Sequence, residues 1–221
     1  AICLIVLKKD PEALFEYKHI DCDGKTIDLP VGKVVCVGRN YLEHIYELGN
    51  KIPDEPVLFI KPNSAISDDV LSHKQEDIHY EAELCFLIKN GIIAAVGFGL
   101  DLTKRKLQSR LKDQGLPWER AKGFDNSAVF STFVGLPSSI ANLSLSLTIN
   151  GKLTQQGGYS LMINKPCALV TNINAFMTLI DNDIIMTGTP SGVGRIETGQ
   201  VLKGEVFDSA TCLVSKQWTV L

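Results

Sequence analysis

From Leu143 the chain alternates without interruption: Leu143, Leu145, Leu147 and Ile149 are apolar, Ser144, Ser146 and Thr148 are polar, and Asn150-Gly151 follows. A period of two puts every apolar side chain on one face of an extended strand. Asn-Gly supplies the two left-handed residues that a type I′ turn requires. This segment therefore predicts an antiparallel hairpin with one face on a core. Residues 34–37, stopped by Gly38, and residues 183–187 and 201–206 read as further strands, with Gly188, Gly192, Gly194 and Gly199 marking turns. Helical periodicity is clearest at 103–111 and 168–179, and residues 41–48 fit one short helix.

The expected architecture is α+β and β-rich, one domain over residues 1–221. Residues 1–31 form a small hairpin-rich lead-in around Asp21-Cys22-Asp23-Gly24, and residues 34–221 form the core. With 45% hydrophobic residues in 221, the chain can bury a substantial core. A net charge of −3 excludes the basic footprint that nucleic acid or an anionic membrane selects. Its apolar runs are interrupted, as by Lys89-Asn90-Gly91, well short of the roughly 20 residues of a spanning helix. Residues 1–9 lack a basic lead and a small-residue cleavage site, so no signal peptide is expected. Six cysteines without a Cys-x-x-Cys pair read as free, mostly buried thiols, which fits a reducing cytoplasm.

The sharpest local feature is His79-Tyr80-Glu81-Ala82-Glu83-Leu84-Cys85-Phe86-Leu87-Ile88. As one strand, its even positions make an apolar face and Glu81 and Glu83 project together from the other, roughly 7 Å apart. A hard divalent cation would relieve their repulsion; a solvent-facing strand with two acids accounts for the same pattern. Asp101 ends an apolar run just before a helical pattern, as a third ligand or as a helix N-cap. Arg105 and Gln108 share a helix face three residues apart, and so do His44 and Glu47, where a carboxylate can orient an imidazole base. Each pair also fits a solvated surface. Arg39 follows a glycine turn as a candidate anion contact, and Lys122 has the sequence surroundings of any surface lysine. Thr189, in Thr187-Gly188-Thr189-Pro190, could offer a hydroxyl or simply turn the chain. Gly192-x-Gly194 lacks the helix of a dinucleotide loop, so nicotinamide and flavin binding are rejected.

In order along the chain stand Gly38-Arg39-Asn40-Tyr41 with His44 and Glu47, Pro56-Val57-Leu58-Phe59-Ile60-Lys61-Pro62, and His79-Tyr80-Glu81-Ala82-Glu83. Asp101-Leu102-Thr103-x-Arg105-x-x-Gln108, Gly115-Leu116-Pro117-Trp118, Ala121-Lys122-Gly123-Phe124-Asp125, Asn150-Gly151 and Thr187-Gly188-Thr189-Pro190-x-Gly192-Val193-Gly194 follow. This ordered set resembles the fumarylacetoacetate hydrolase family, in its short acylpyruvase and oxaloacetate decarboxylase-like branch. The resemblance implies a mixed β-sheet roll with short flanking helices, usually a homodimer. It implies Mg²⁺ or Mn²⁺ held by Glu81, Glu83 and Asp101, with His44 and Glu47 on a lid-like helix. Arg105, Gln108, Lys122 and Thr189 would surround a small 2-oxo or 2,4-dioxo acid.

On that basis the expected activity is metal-dependent hydrolysis of acylpyruvates, with His44 and Glu47 activating water and Lys122 stabilising developing charge. Decarboxylation and keto–enol tautomerisation of oxaloacetate are the alternatives, and a non-catalytic member of the fold is the competing class. Departures from the family pattern fall at Lys104 and Lys106, at Ala128-Val129-Phe130, and at Asp181-Asn182-Asp183. They bear on substrate preference and remove no expected ligand.

Overall fold

The computed structural model describes residues 32–72 and 76–221, together with the backbone of His19–Ile20 (β1) and Thr26–Ile27 (β2). These two short strands pair antiparallel, as a hairpin in the lead-in requires. The rest of the lead-in, with Cys3 and Cys22, lies outside the described residues.

The chain continues through β3 (Val34–Gly38), α1 (Leu42–Glu47), β4 (Val57–Lys61), β5 (Ile66–Ser67), β6 (Ile78–Tyr80), β7 (Ala82–Lys89), β8 (Ile92–Asp101) and β9 (Thr103–Lys104). Next come α2 (Arg105–Asp113), α3 (Glu119–Lys122), β10 (Ala128–Phe130), β11 (Val134–Gly135), β12 (Leu143–Ile149) and β13 (Lys152–Gly158). The remaining elements are α4 (Pro166–Asn174), β14 (Ile184–Met186), β15 (Gly194–Arg195), β16 (Val201–Asp208) and β17 (Thr211–Thr219).

A mixed sheet runs β4-β3-β14-β7-β8-β10-β5, with β11 also on β8. Within it β14 is parallel to β3, and β10 to β5. An antiparallel sheet, β13-β12-β16-β17, packs over it, and a small sheet, β15-β6-β9, closes one end. The anticipated hairpin is β12–β13: Asn150 and Gly151 adopt φ of 50° and 79°, and Ile149 faces Lys152. The molecule is strand-rich with short helices at its margins, as the expected β-rich α+β architecture requires.

Ala82, Leu84 and Phe86 of β7 and Phe98 and Leu100 of β8 meet Leu145, Leu147, Leu202, Val206 and Trp218 of the antiparallel sheet. The rings of Phe98 and Trp218 lie 5.9 Å apart. Phe98 has room because residue 204 is glycine; an added Cβ would fall on its ring. Both groups sit in a close-packed interior, so Gly204→Val is expected to cost about 1–3 kcal/mol by overpacking. A melting temperature equal to wild type would contradict this packing.

Several expectations need correction. The stretch 79–88 is two strands, broken at Glu81, because the chain there leaves the small sheet for the large one. The carboxylate-bearing face is not solvent-facing: Cys85 and Leu87, on the same side as Glu83, pack with Val34, Cys36, Phe130 and Met186. Asp101 is no N-cap, since two strand residues intervene and Lys104 precedes α2 without a side-chain cap. The late helix ends at Asn174, whose side-chain oxygen accepts the Leu179 N–H at 3.1 Å and turns the chain. Cys36 and Cys85 are buried free thiols, whereas Cys167 and Cys212 are exposed. Among the described residues, no helix is long and apolar enough to cross a membrane.

Candidate metal centre and active site

Three elements deliver the carboxylates. Glu81 occupies the break between β6 and β7, where its carbonyl accepts the Asp101 N–H at 2.8 Å. Glu83 is the second residue of β7 and Asp101 the last of β8. All three are buried, and their ligand oxygens lie within 4.8 Å of one another.

Cations surround this cluster on one side. Lys122, 2% exposed, places Nζ 2.8 Å from Glu81 Oε2, 2.6 Å from Asp101 Oδ2 and 2.6 Å from Thr103 Oγ1. Its sequence surroundings marked it as a surface residue, yet α3 packs it inward over the Phe59 ring at 4.9 Å. Arg105 donates to Glu81 Oε1 and, at 2.8 Å, to Gln108 Oε1, so the shared helix face expected for this pair is present. Burial would raise the Glu81 carboxyl, but Lys122 and Arg105 outweigh it and hold the group well below the usual carboxylate range. Burial likewise opposes the Lys122 charge, and Asp101 and Glu81 overcome it and hold the ammonium above its ordinary value.

Glu83 behaves in the opposite way. Burial and then the charges of Asp101 and Glu81 push its carboxyl well above the ordinary range, against one hydrogen bond from Gly188 N at 2.6 Å. Asp101 Oδ1 is buried 2.8 Å from Lys61 Nζ without hydrogen-bond alignment to any donor. A buried oxygen lacking a donor, beside a carboxyl whose charge its neighbours oppose, fits a hard divalent cation with oxygen ligands. The residues expected to bind metal therefore suit one.

His44 and Glu47 enter from α1: His44 Nδ1 lies 3.0 Å from Glu47 Oε2, and Glu47 Oε1 accepts Gly192 N–H at 2.9 Å. His44, Arg39, Arg105, Gln108, Lys122 and Thr189 line one pocket with the three carboxylates. Glu47 stands behind His44. Arg39 has φ 57°, an uncommon left-handed conformation for a non-glycine residue, at the turn leaving β3.

Two supporting residues had no role assigned from the sequence, although one of them, Lys61, stands within the ordered motifs. Lys61, fully buried, joins Asp101 to the Leu102 carbonyl at 3.2 Å and to the Lys122 carbonyl. A lysine closing the apolar run Val57-Leu58-Phe59-Ile60 was the available signal. Gln155, 1% exposed, accepts the Ala82 N–H at 3.0 Å and donates to Thr189 Oγ1 and the Pro190 carbonyl, each at 2.8 Å. It ties the residue between the two glutamates to the Thr189 loop, and nothing local in the sequence marks it.

A sequence model of the fumarylacetoacetate (FAA) hydrolase C-terminal family matches residues 33–215. The oxaloacetate tautomerase YcgM of Escherichia coli (strain K12) is 41% identical, over 84% of this chain and 93% of that protein. A mitochondrial oxaloacetate decarboxylase of Dictyostelium discoideum is 37% identical, over 77% and 87%. Among solved structures, the fumarylpyruvate hydrolase of Pseudomonas aeruginosa in complex with Mn²⁺ and pyruvate superposes with a TM-score of 0.80 at 30% identity, covering 92% of this chain and 94% of that one. The chain belongs to the fumarylacetoacetate hydrolase family.

Proposed function

We propose that this chain is a divalent-metal-dependent tautomerase that interconverts the keto and enol forms of oxaloacetate. The observation that carries the reading is the double engagement of Glu47, one oxygen on His44 and the other on Gly192 N–H. A carboxylate held at both oxygens orients the imidazole and leaves Nε2 to exchange protons with substrate. Hydrolysis of an acylpyruvate needs in addition a water positioned by this pair. Proton transfer needs only the oriented ring. The relatives named for oxaloacetate chemistry, at 41% and 37% identity, support the same choice over the hydrolase at 30%.

In this reading Glu81, Glu83 and Asp101 hold Mg²⁺ or Mn²⁺, whose Lewis acidity polarises the 2-oxo group when bound. His44 Nε2 takes the proton from C3 as the C3–H bond breaks, and the same nitrogen gives it to the oxygen on C2 to complete the enol. The reverse passage returns the proton to carbon. Lys122, fixed by Asp101, Glu81 and Thr103, supplies positive charge where the oxygen becomes anionic. Arg105 and Gln108 orient the substrate from one side and Thr189 from the other.

The test follows oxaloacetate enol absorbance and pyruvate release together, on Mg²⁺-loaded protein, with acetylpyruvate as a parallel substrate. Tautomerisation is expected to exceed both cleavages, and His44→Ala is expected to lower its kcat by about 10²–10⁴ while leaving metal-induced thermal stabilisation intact. Acetylpyruvate cleavage with the higher kcat/KM would make the enzyme a hydrolase. Pyruvate release from oxaloacetate outpacing tautomerisation would make it a decarboxylase.

A further inference from the structure

Four cationic side chains, Arg39, Arg105, Lys112 and Lys122, line the pocket against three carboxylates. They divide into two kinds. Arg105 and Lys122 are each paired with a carboxylate of the metal cluster. Among the described residues, Arg39 and Lys112 have no carboxylate within ion-pair distance. Lys112 reaches in from the last turn of α2, where Nζ donates to the neutral Asn50 side chain at 3.1 Å and stands 5.8 Å from the Trp118 ring centre.

We propose that Lys112, with Arg39, receives the second carboxylate of the substrate and so selects 2-oxo dicarboxylates over 2-oxo monocarboxylates. The inference rests on the oxaloacetate reading and assigns its distal end. The 2-oxo acid head belongs at the metal carboxylates, with Arg105 and Lys122 already committed beside them. A four-carbon diacid then extends its other carboxylate away from that cluster, and the pocket cations without a carboxylate among the described residues are Arg39 and Lys112. Burial first, and then the guanidinium groups of Arg39 and Arg105, hold the Lys112 ammonium below its ordinary value. Positive charges converge there with too little negative charge to balance them, which is the condition an anionic ligand relieves.

Such a contact also bears on which reaction follows. A carboxylate held between two cations is stabilised as an anion, and loss of neutral CO₂ would forfeit that stabilisation on the way to the transition state. Enolisation keeps both carboxylates charged and forfeits nothing. The clamp therefore favours tautomerisation over decarboxylation of the same bound molecule.

The experiment uses two probes that cannot tautomerise, (S)-malate and (S)-lactate, which differ by the second carboxylate. Their binding to Mg²⁺-loaded wild type, Lys112→Met and Lys112→Arg is measured by titration calorimetry. Wild type is expected to bind malate at least tenfold more tightly than lactate. Lys112→Met should lose about tenfold for malate, equal to about 1.4 kcal/mol, and less than twofold for lactate. Lys112→Arg should keep most of the malate preference, which a merely structural role for the lysine would not require. Equal losses for both probes, no loss for either, or no malate preference in wild type would overturn the proposal. Because neither probe reacts, a protein that shows the Lys112-dependent preference but no tautomerase activity refutes the reaction assigned above and leaves the clamp standing.

Discussion

Glu83→Gln is expected to raise the melting temperature of metal-stripped protein and to abolish the further rise that Mg²⁺ or Mn²⁺ gives wild type. A substitution in a buried site usually destabilises. Here the wild-type residue is the unfavourable one: burial, Asp101 and Glu81 all oppose its charge. A carboxyl whose folded pKa is raised contributes its full stability below the unfolded value and loses it as pH rises through the folded value. Metal-free wild type should therefore weaken as pH rises above the ordinary carboxyl range, and Glu83→Gln should lack that component. Glu81, held low, acts in the opposite direction, its contribution being lost progressively as pH falls below the ordinary carboxyl range. The amide keeps an oxygen to accept Gly188 N–H, so the loop contact survives.

The metal term has a calculable size. An ion present at about 100 times its Kd stabilises by about 2.7 kcal/mol. For a chain of this length that is roughly 5–10 °C. Thermal unfolding from pH 5 to 9, with chelator and then with Mg²⁺, measures both effects. A less stable metal-free Glu83→Gln, or one that keeps the metal-induced rise, would remove Glu83 from the metal centre.

What the sequence disclosed about this site depended on how local the cause was. The β12–β13 hairpin follows from a period of two and one Asn-Gly pair, and both operate within a few residues. The His44–Glu47 and Arg105–Gln108 contacts follow from helical spacing. Burial of the carboxylates was harder to read, because Glu83 shares its side of β7 with Cys85 and Leu87, and only packing against β3, β14 and β10 covers that side. Lys122 and Lys61 were harder still. Their partners come from chain positions 19 to 61 residues away and are joined only by the large sheet and α3. The ordered motifs identified the family, and with it the residues to examine, but not the reaction. Tautomerase and hydrolase readings call on the same named residues and differ in whether His44 and Glu47 must also hold a water.

The buried lysine behind the cluster yields the second large effect. Lys61→Met preserves the length and most of the volume of the side chain and removes the cation 2.8 Å from Asp101 Oδ1. It also removes the donor to the carbonyls of Leu102 and Lys122, which joins β4 to the end of β8 and to α3. Breaking a buried pair by deleting one member costs about 3–5 kcal/mol, because the remaining charge loses compensation; Asp101 then keeps only Lys122, on its other oxygen, and shares that lysine with Glu81. Metal-free Lys61→Met should therefore melt roughly 6–20 °C below wild type. Divalent metal should then restore more stability than it adds to wild type, since a bound cation now supplies the balance that Asp101 has lost. Adding Asp101→Asn to Lys61→Met should recover part of the metal-free loss, by neutralising the stranded charge, while eliminating the response to metal. The two halves of the prediction move in opposite directions. A simple packing defect at Lys61 would leave the metal-induced rise unchanged and would gain nothing from the second substitution, and either result would show that Lys61 does not balance the charge of Asp101.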